Sequence, residues 1–196
     1  PNDVSVRELV GAYSTFANKG IRTTPVLVTR IEDDKGNIIY SAVPHRTEVI
    51  GETAYYNMLY MLQNVINNGT ARALRGAYRL TAEMGGKTGT TNSNSDTWFV
   101  GFTPNLVTGI WIGGEERYIH FNNMAYGQGA KASLPVFGLF MKKIFNDPKL
   151  PAYTQSLQFE FPAEYSPCDG GGYYSSGGDG GSQTEEIEEV VESALE

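Results

Sequence analysis

Four consecutive residues carry the side chains best suited to chemistry in this sequence. Lys87, Thr88, Gly89 and Thr90 combine a cation, two hydroxyls and a residue without a Cβ atom, directly after two further glycines. Ammonium and hydroxyl groups donate hydrogen bonds to a carboxylate, and such charge-assisted bonds are stronger than neutral ones. Glycine lets another chain approach a strand closely. The stretch therefore predicts capture of a peptide carboxylate beside an exposed strand edge.

The sequence around these residues resembles one protein family. Lys-Thr-Gly is a motif of serine β-lactamases and penicillin-binding proteins. Residues 85–114, GGKTGTTNSNSDTWFVGFTPNLVTGIWIGG, resemble the segment around that motif in the transpeptidase domain of class A penicillin-binding proteins, the bifunctional peptidoglycan synthases. Residues 8–20 are similar to the helix and glycine stop that precede the motif in this family, and residues 65–71 resemble the turn that leads to its strand. By this resemblance the chain is the C-terminal part of such a domain.

The resemblance implies serine acyl transfer between peptidoglycan stem peptides. A serine would attack the penultimate D-Ala carbonyl of a peptide ending in D-Ala-D-Ala, D-alanine would leave, and an amine of a neighbouring stem peptide would take the acyl group. β-Lactams would bind in place of the substrate, as mimics of the D-Ala-D-Ala dipeptide. Lys87, Thr88, Gly89 and Thr90 would bind the substrate. Lys87 and Thr90 would also be catalytic, through the positive field of Lys87 and the backbone N–H of Thr90 as one of two oxyanion-hole donors. The resemblance implies no cofactor and no metal.

Two motifs of the family are absent from the chain. No serine is followed by lysine three residues later or by asparagine two residues later, so the S-x-x-K and S-x-N patterns are both missing. We therefore expect the chain alone to be inactive and to depend on an upstream remainder of the same polypeptide. The remaining candidates, Ser14, Ser41 and Ser133, are interpreted as a helix-surface residue, a loop residue and a helix cap.

The family further implies a parent protein with a glycosyltransferase domain and an N-terminal membrane anchor. Its transpeptidase domain would face the outside of the cytoplasmic membrane. The chain itself has no run of about eighteen apolar residues, so membrane attachment is expected only through the upstream anchor.

Composition limits the other classes of partner. The chain has 15 lysines and arginines against 22 acids, but eight of the acids follow Tyr165, so residues 1–164 hold 15 basic and 14 acidic groups. A nearly neutral body lacks the basic field that nucleic-acid binding needs. Cys168, His45 and His120 are too few and too scattered to predict a metal site.

The apolar pattern predicts an α+β fold in which helices pack against an antiparallel sheet. Helical stripes follow a capping box at Ser5 and Glu8, and recur over residues 55–66 and 134–144. Residues 26–31 and 38–40 indicate a hairpin, and residues 86–113 a three-stranded meander with Lys87 on its first strand. By resemblance this is part of a penicillin-binding transpeptidase or serine β-lactamase-like fold. It would occupy residues 1–164, and residues 165–196 would form a flexible Gly, Ser and acidic tail.

Two other functions stay open at this point. Gly86, Lys87 and Thr88 imitate the end of a nucleotide-binding P-loop, although position 81, where its first glycine belongs, is Thr81, and turn formers rather than a helix follow. The other alternative is a non-catalytic cell-envelope interaction module, which the missing motifs fit equally well.

Aromatic and basic residues near the motif have simpler interpretations than substrate binding. Aromatic residues on a small sheet are usually core or cross-strand pairs, which we expect for Trp98, Phe99, Phe102 and Trp111. Arginines that recur at close spacing are usually a solvated face, which we expect for Arg72, Arg75 and Arg79.

Overall fold

The computed structural model describes residues 3–165 of the 196-residue chain. The helices are α1 (Val6–Ala17), α2 (Glu52–Asn67), α3 (Ala73–Gly76) and α4 (Ser133–Phe145). The strands are β1 (Ile21–Thr23), β2 (Arg30–Glu32), β3 (Ile38–Ser41), β4 (Arg46–Glu48), β5 (Gly85–Thr90), β6 (Asp96–Thr103) and β7 (Leu106–Gly113). Strands β1 and β4 form one antiparallel pair, β2 and β3 another, and β5, β6 and β7 a three-stranded antiparallel sheet in that order.

Helices cover both faces of the three-stranded sheet. Helix α1 lies so close to one face that a Cβ atom on Gly109 of β7 would stand 2.6 Å from Cγ2 of Val10. Helix α4 approaches the other face equally closely, because a Cβ atom on Gly101 of β6 would stand 2.6 Å from Cζ of Phe137. Glycines at these two positions therefore let the helices pack directly on the strands.

Helix α2 contributes to a hydrophobic core on each side of the sheet. Ile66, near its C-terminal end, packs with Phe99 and Phe137 in the core under α4. Leu59 packs with Phe102 in the second core, which also contacts α1. Successive residues of a strand point to opposite faces. Phe99 and Phe102 are three positions apart on β6, so they point to opposite faces and pack in different cores. Phe99 and Phe102 are both fully buried, as the sequence predicted.

The first helix has the ends that the sequence predicted. The N–H of Glu8 donates to Oγ of Ser5 at 3.2 Å, and the N–H of Ser5 donates to Oε2 of Glu8 at 2.7 Å, which completes the capping box. Gly20 follows the helix with φ of +83°, and a Cβ atom there would stand 2.3 Å from the carbonyl oxygen of Ile50. Glycine is therefore required at the point where the chain leaves α1.

Some local predictions are corrected. Strand β2 begins at Arg30 rather than at residue 26, Ser41 ends β3 rather than lying in a loop, and the short pair of β1 with β4 was not predicted. Ser133 is wrong as a helix cap, because Ala132 holds the cap position and Ser133 is fully buried. Its hydroxyl donates to the carbonyl oxygen of Thr97 at 2.7 Å and so fastens α4 to β6.

The predicted tail over residues 165–196 lies outside the described residues, apart from Tyr165. The hydroxyl of Tyr165 donates to the carbonyl oxygen of Tyr56 at 3.2 Å, so this residue packs on α2. None of the helices in residues 3–165 is long and apolar enough to cross a membrane.

Candidate active site

The four predicted site residues lie on an edge strand. Strand β5 pairs with β6 on one side, and no strand within residues 3–165 pairs with its other edge. The N–H of Thr91 donates to the carbonyl oxygen of Asp96 at 3.1 Å. Hydrogen-bonding direction alternates along an antiparallel strand, so the backbone groups of Gly89 also face β6. Those of Thr88 and Thr90 face the open edge.

The side chain of Lys87 extends from one face of the sheet to the open edge of β5. Its cross-strand partner is Val100, so Lys87 and Gly89 belong to the face that carries α1, whereas Thr88 and Thr90 belong to the opposite face. The ammonium Nζ of Lys87 nevertheless reaches the carbonyl oxygen of Thr88 at 2.8 Å, a group that points away from β6. The side chain is exposed. The positive charge is therefore held at the open edge, against the backbone of Thr88.

The hydroxyl of Thr88 has a partner from another element. Oγ1 of Thr88 lies 2.9 Å from Oγ1 of Thr70, in the turn that follows α2. Thr70 is exposed and Thr88 is half-buried, so the pair remains accessible from solvent. A hydroxyl accepts and donates at the same time, which leaves one proton of this pair free for a further acceptor.

Thr90 and Gly89 contact the loop that leads to α4. The backbone N–H of Gly129 donates to Oγ1 of Thr90 at 3.1 Å, across 39 positions of sequence. A Cβ atom on Gly129 would stand 2.5 Å from the carbonyl oxygen of Gly89 and 2.4 Å from that of Trp98. Only glycine therefore fits where this loop crosses β5 and β6. Because Oγ1 of Thr90 accepts from Gly129, its own proton stays available.

Sequence reasoning missed three residues that position the strand, namely Thr70, Arg75 and Gly129. Arg75 was predicted to lie on a solvated face, which is wrong, because it is half-buried and its Nε donates to Oδ1 of Asn67 at 3.0 Å. None of these residues belongs to a periodic apolar pattern. The resemblance of residues 65–71 to a family turn was the only signal, and it pointed to Thr70 without giving it a role.

The structure does not support the nucleotide-binding alternative. A P-loop leads into a helix whose N-terminus holds the phosphate. Here β5 is followed by the three-residue 3-10 turn Asn92–Asn94 and then by β6. The aromatic residues also have the predicted structural role, since Trp98 and Trp111 are a cross-strand pair with ring centroids 6.2 Å apart.

Comparison with known proteins agrees with this architecture. Residues 3–142 match the family model of the penicillin binding protein transpeptidase domain. The chain is 34% identical over 142 residues to penicillin-binding protein 1A of Aquifex aeolicus, covering 72% of this chain and 19% of that protein. It is 30% identical over 140 residues to penicillin-binding protein 1B of Haemophilus influenzae, covering 71% and 17%. The chain thus spans about a fifth of the length of these curated relatives.

Solved structures show the same fold. The crystal structure of penicillin-binding protein 1A from Haemophilus influenzae gives a TM-score of 0.66 at 22% identity, covering 74% of this chain and 27% of that one. The D,D-transpeptidase domain of a peptidoglycan glycosyltransferase from Eggerthella lenta gives 0.52 at 27% identity, covering 71% and 33%. The fold is therefore that of the penicillin-binding transpeptidases, as predicted. The chain belongs to the penicillin-binding protein transpeptidase family, and its resemblance to the class A members is confirmed.

Proposed function

We propose that this chain supplies the substrate-binding strand of a serine D-Ala-D-Ala transpeptidase. The observation that carries the proposal is the open edge of β5. It presents the outward backbone groups of Thr88 and Thr90, two threonine hydroxyls and the ammonium of Lys87 in one place. An extended peptide can pair with such an edge as an added strand. The hydroxyls and the ammonium would then receive its terminal carboxylate.

The backbone N–H of Thr90 is proposed as an oxyanion-hole donor. By the alternation of the ladder it points away from β6, toward the side from which a substrate carbonyl would approach. A fixed N–H group stabilises the charge that develops on that oxygen, and loss of one such donor costs about 2.7 to 4 kcal/mol of barrier in serine enzymes. Lys87 adds a positive field beside the same edge.

The nucleophile must come from elsewhere in the polypeptide. A serine hydroxyl would attack the penultimate carbonyl, the peptide bond to the last residue would break, and that residue would leave as D-alanine after gaining a proton. An amine of a second stem peptide would then displace the serine oxygen. The chain contains neither S-x-x-K nor S-x-N, so an upstream remainder would supply this serine and its base, and the chain alone would be inactive.

The setting of the parent protein is also a proposal. The relatives are penicillin-binding proteins 1A and 1B, and by resemblance the parent would carry a glycosyltransferase domain and an N-terminal membrane anchor. Its transpeptidase domain would face the outside of the cytoplasmic membrane, with stem peptides and β-lactams as ligands.

Intact-mass analysis of penicillin adducts tests the proposal. This chain and a longer protein extended upstream of Pro1 are incubated with benzylpenicillin, and the added mass is measured over time. We expect one adduct on the longer protein and none on this chain. Absence of an adduct on both would overturn the proposal in favour of a non-catalytic envelope module. An adduct on this chain would contradict the assignment of the nucleophile to the upstream remainder.

A further inference from the structure

The turn after α2 brings a hydroxyl to the strand that carries the site. Thr70 lies 18 positions before Thr88 in sequence, yet their Oγ1 atoms are 2.9 Å apart. Thr70 is exposed and lies outside the Lys-Thr-Gly-Thr segment. The contact therefore joins α2 to the open edge of β5 through one pair of hydroxyls.

The residues on either side of Thr70 fix its position. A Cβ atom on Gly69 would stand 2.8 Å from Cα of Val65, so the chain passes the end of α2 too closely for any side chain. Ala71 is fully buried, and its N–H donates to the carbonyl oxygen of Val65 at 3.0 Å. Because both neighbours are anchored, the backbone of Thr70 has little freedom to move away from β5.

Arg75 holds the two sides of this contact together. Its Nε donates to Oδ1 of Asn67 at the end of α2, at 3.0 Å. Its Nη1 donates to the carbonyl oxygens of Leu80 at 2.8 Å and Ala82 at 2.6 Å, in the segment that enters β5. Burial lowers the pKa of the guanidinium, but the group stays charged, since arginine remains protonated in proteins. One side chain thus ties the helix end to the chain that leads to Thr88.

We propose that Thr70 is a positioning residue for substrate binding at Thr88. Thr70 donates its hydroxyl proton to Oγ1 of Thr88, which directs the proton of Thr88 toward the substrate carboxylate. Each hydroxyl has one proton to donate, so without Thr70 that proton is free to turn to other acceptors. A hydroxyl that accepts one hydrogen bond also becomes a stronger donor in the next. This inference rests on the proposed function.

The test compares acylation rate constants of the longer protein and its Thr70 variants. Thr70→Val and Thr70→Ala remove the hydroxyl, and Thr70→Ser keeps it. Thr53→Val, at an exposed position in the first turn of α2, is the matched control. With benzylpenicillin we expect the second-order rate constant to fall about two- to ten-fold in Thr70→Val and Thr70→Ala, the effect of one net hydrogen bond. We expect Thr70→Ser and Thr53→Val to match the wild type.

A β-lactam without a free carboxylate separates positioning from general damage. For the methyl ester of benzylpenicillin we expect the same rate constant in Thr70→Val as in the wild type. The ester carries no carboxylate anion, so the hydroxyls of Thr70 and Thr88 have no charged acceptor to bind. Equal losses with acid and ester, or a loss in Thr70→Ser as large as in Thr70→Val, would overturn the inference. So would unchanged acylation in both Thr70→Val and Thr70→Ala.

The proposed function and this inference fail in different ways. If the wild-type longer protein is not acylated by benzylpenicillin at all, the proposed function itself is wrong. If the wild type is acylated and Thr88→Val is slow while Thr70→Val is not, only the role of Thr70 is wrong.

Discussion

At the scale of single residues, the candidate site is defined by the hydrogen-bond donors that lie at the open edge of β5 around Thr88. The ammonium of Lys87 already contacts the backbone carbonyl of Thr88, and the hydroxyl of Thr70 contacts its side chain. A carboxylate arriving there would meet a cation and a hydroxyl together. Hydrogen bonds to charged groups contribute about 1.5 to 3 kcal/mol each, so under the proposed function the loss of the Lys87 ammonium or of the Thr88 hydroxyl should lower the acylation rate measurably.

We expect Lys87→Ala and Thr88→Ala each to lower the rate constant of acylation by benzylpenicillin about ten- to hundred-fold in the longer protein. The reason is that each variant removes a proposed donor to the substrate carboxylate. Quantified adduct mass against time gives the rate. Lys35→Ala and Thr53→Ala, at exposed positions outside β5, are the controls and should react like the wild type. Unaffected acylation in Lys87→Ala or Thr88→Ala would remove that residue from the carboxylate site.

The sequence identified the residues proposed to bind the substrate better than those that support them. Lys87 to Thr90 are contiguous and have side chains of a distinctive chemistry, so the motif is visible in the sequence. Thr70, Arg75 and Gly129 act through contacts made only after folding, the last across 39 positions. An isolated threonine, arginine or glycine has many possible roles, and which one applies depends on the neighbour that the fold supplies.

At the scale of the elements, the capping box at the N-terminus of α1 can be tested directly. Ser5→Ala removes the cap of the helix and should lower the free energy of unfolding by about 1 kcal/mol. Ser5→Thr keeps the capping hydroxyl and is the control. Urea unfolding measured by circular dichroism gives both values. Equal stability of Ser5→Ala and the wild type would show that the cap contributes nothing to this helix.

The same helix predicts a pH dependence. Hydrogen bonds from the side chain and the backbone N–H of Ser5 lower the pKa of Glu8 below its ordinary value of 4.5. A carboxyl with a lowered pKa stabilises the fold above its unfolded-state pKa, and loses that contribution as the pH falls through the folded-state pKa. The stability difference between the wild type and Ser5→Ala should therefore narrow below about pH 4.5. A difference that stays constant through this range would contradict the role of Glu8.

Elements with long periodic patterns were predicted closely, and short ones were not. Helices α1, α2 and α4 and the β5 to β7 meander follow from apolar spacing, because each buries a face against the rest of the chain. Strands β1 and β4 have three residues each and pair across an intervening hairpin. Three residues cannot show an alternation, so tertiary pairing alone defines them. Residues 26–29 are likewise no strand, because none of the strand pairs within residues 3–165 includes them, although the carbonyl oxygen of Thr29 accepts from the N–H of Ala42 at 2.9 Å.

At the scale of the whole molecule, the central strand β6 of the sheet that carries the site is buried over most of its length, whereas strands β2 and β3 are exposed throughout. Strand β6 is bonded on both sides and packed by a helix on each face. Segments with few buried contacts open locally at low free-energy cost, whereas a central strand opens only with the whole fold. The site thus rests on the rigid side of the molecule, with its free edge turned outward.

Amide hydrogen exchange followed by NMR tests two points together. They are the difference in local stability between β6 and the β2–β3 hairpin, and the orientation of the backbone groups of β5. In this chain we expect the backbone amides of Phe99 and Val100 in β6 to exchange most slowly. We expect those of the β2–β3 hairpin to exchange fast. Within β5 the pattern should alternate, because the N–H of Gly89 bonds to β6 whereas those of Thr88 and Thr90 face the open edge. Slow exchange at Thr88 and Thr90 with fast exchange at Gly89 would reverse the direction of the ladder. The proposed oxyanion-hole N–H would then point into the sheet, where no substrate carbonyl could reach it.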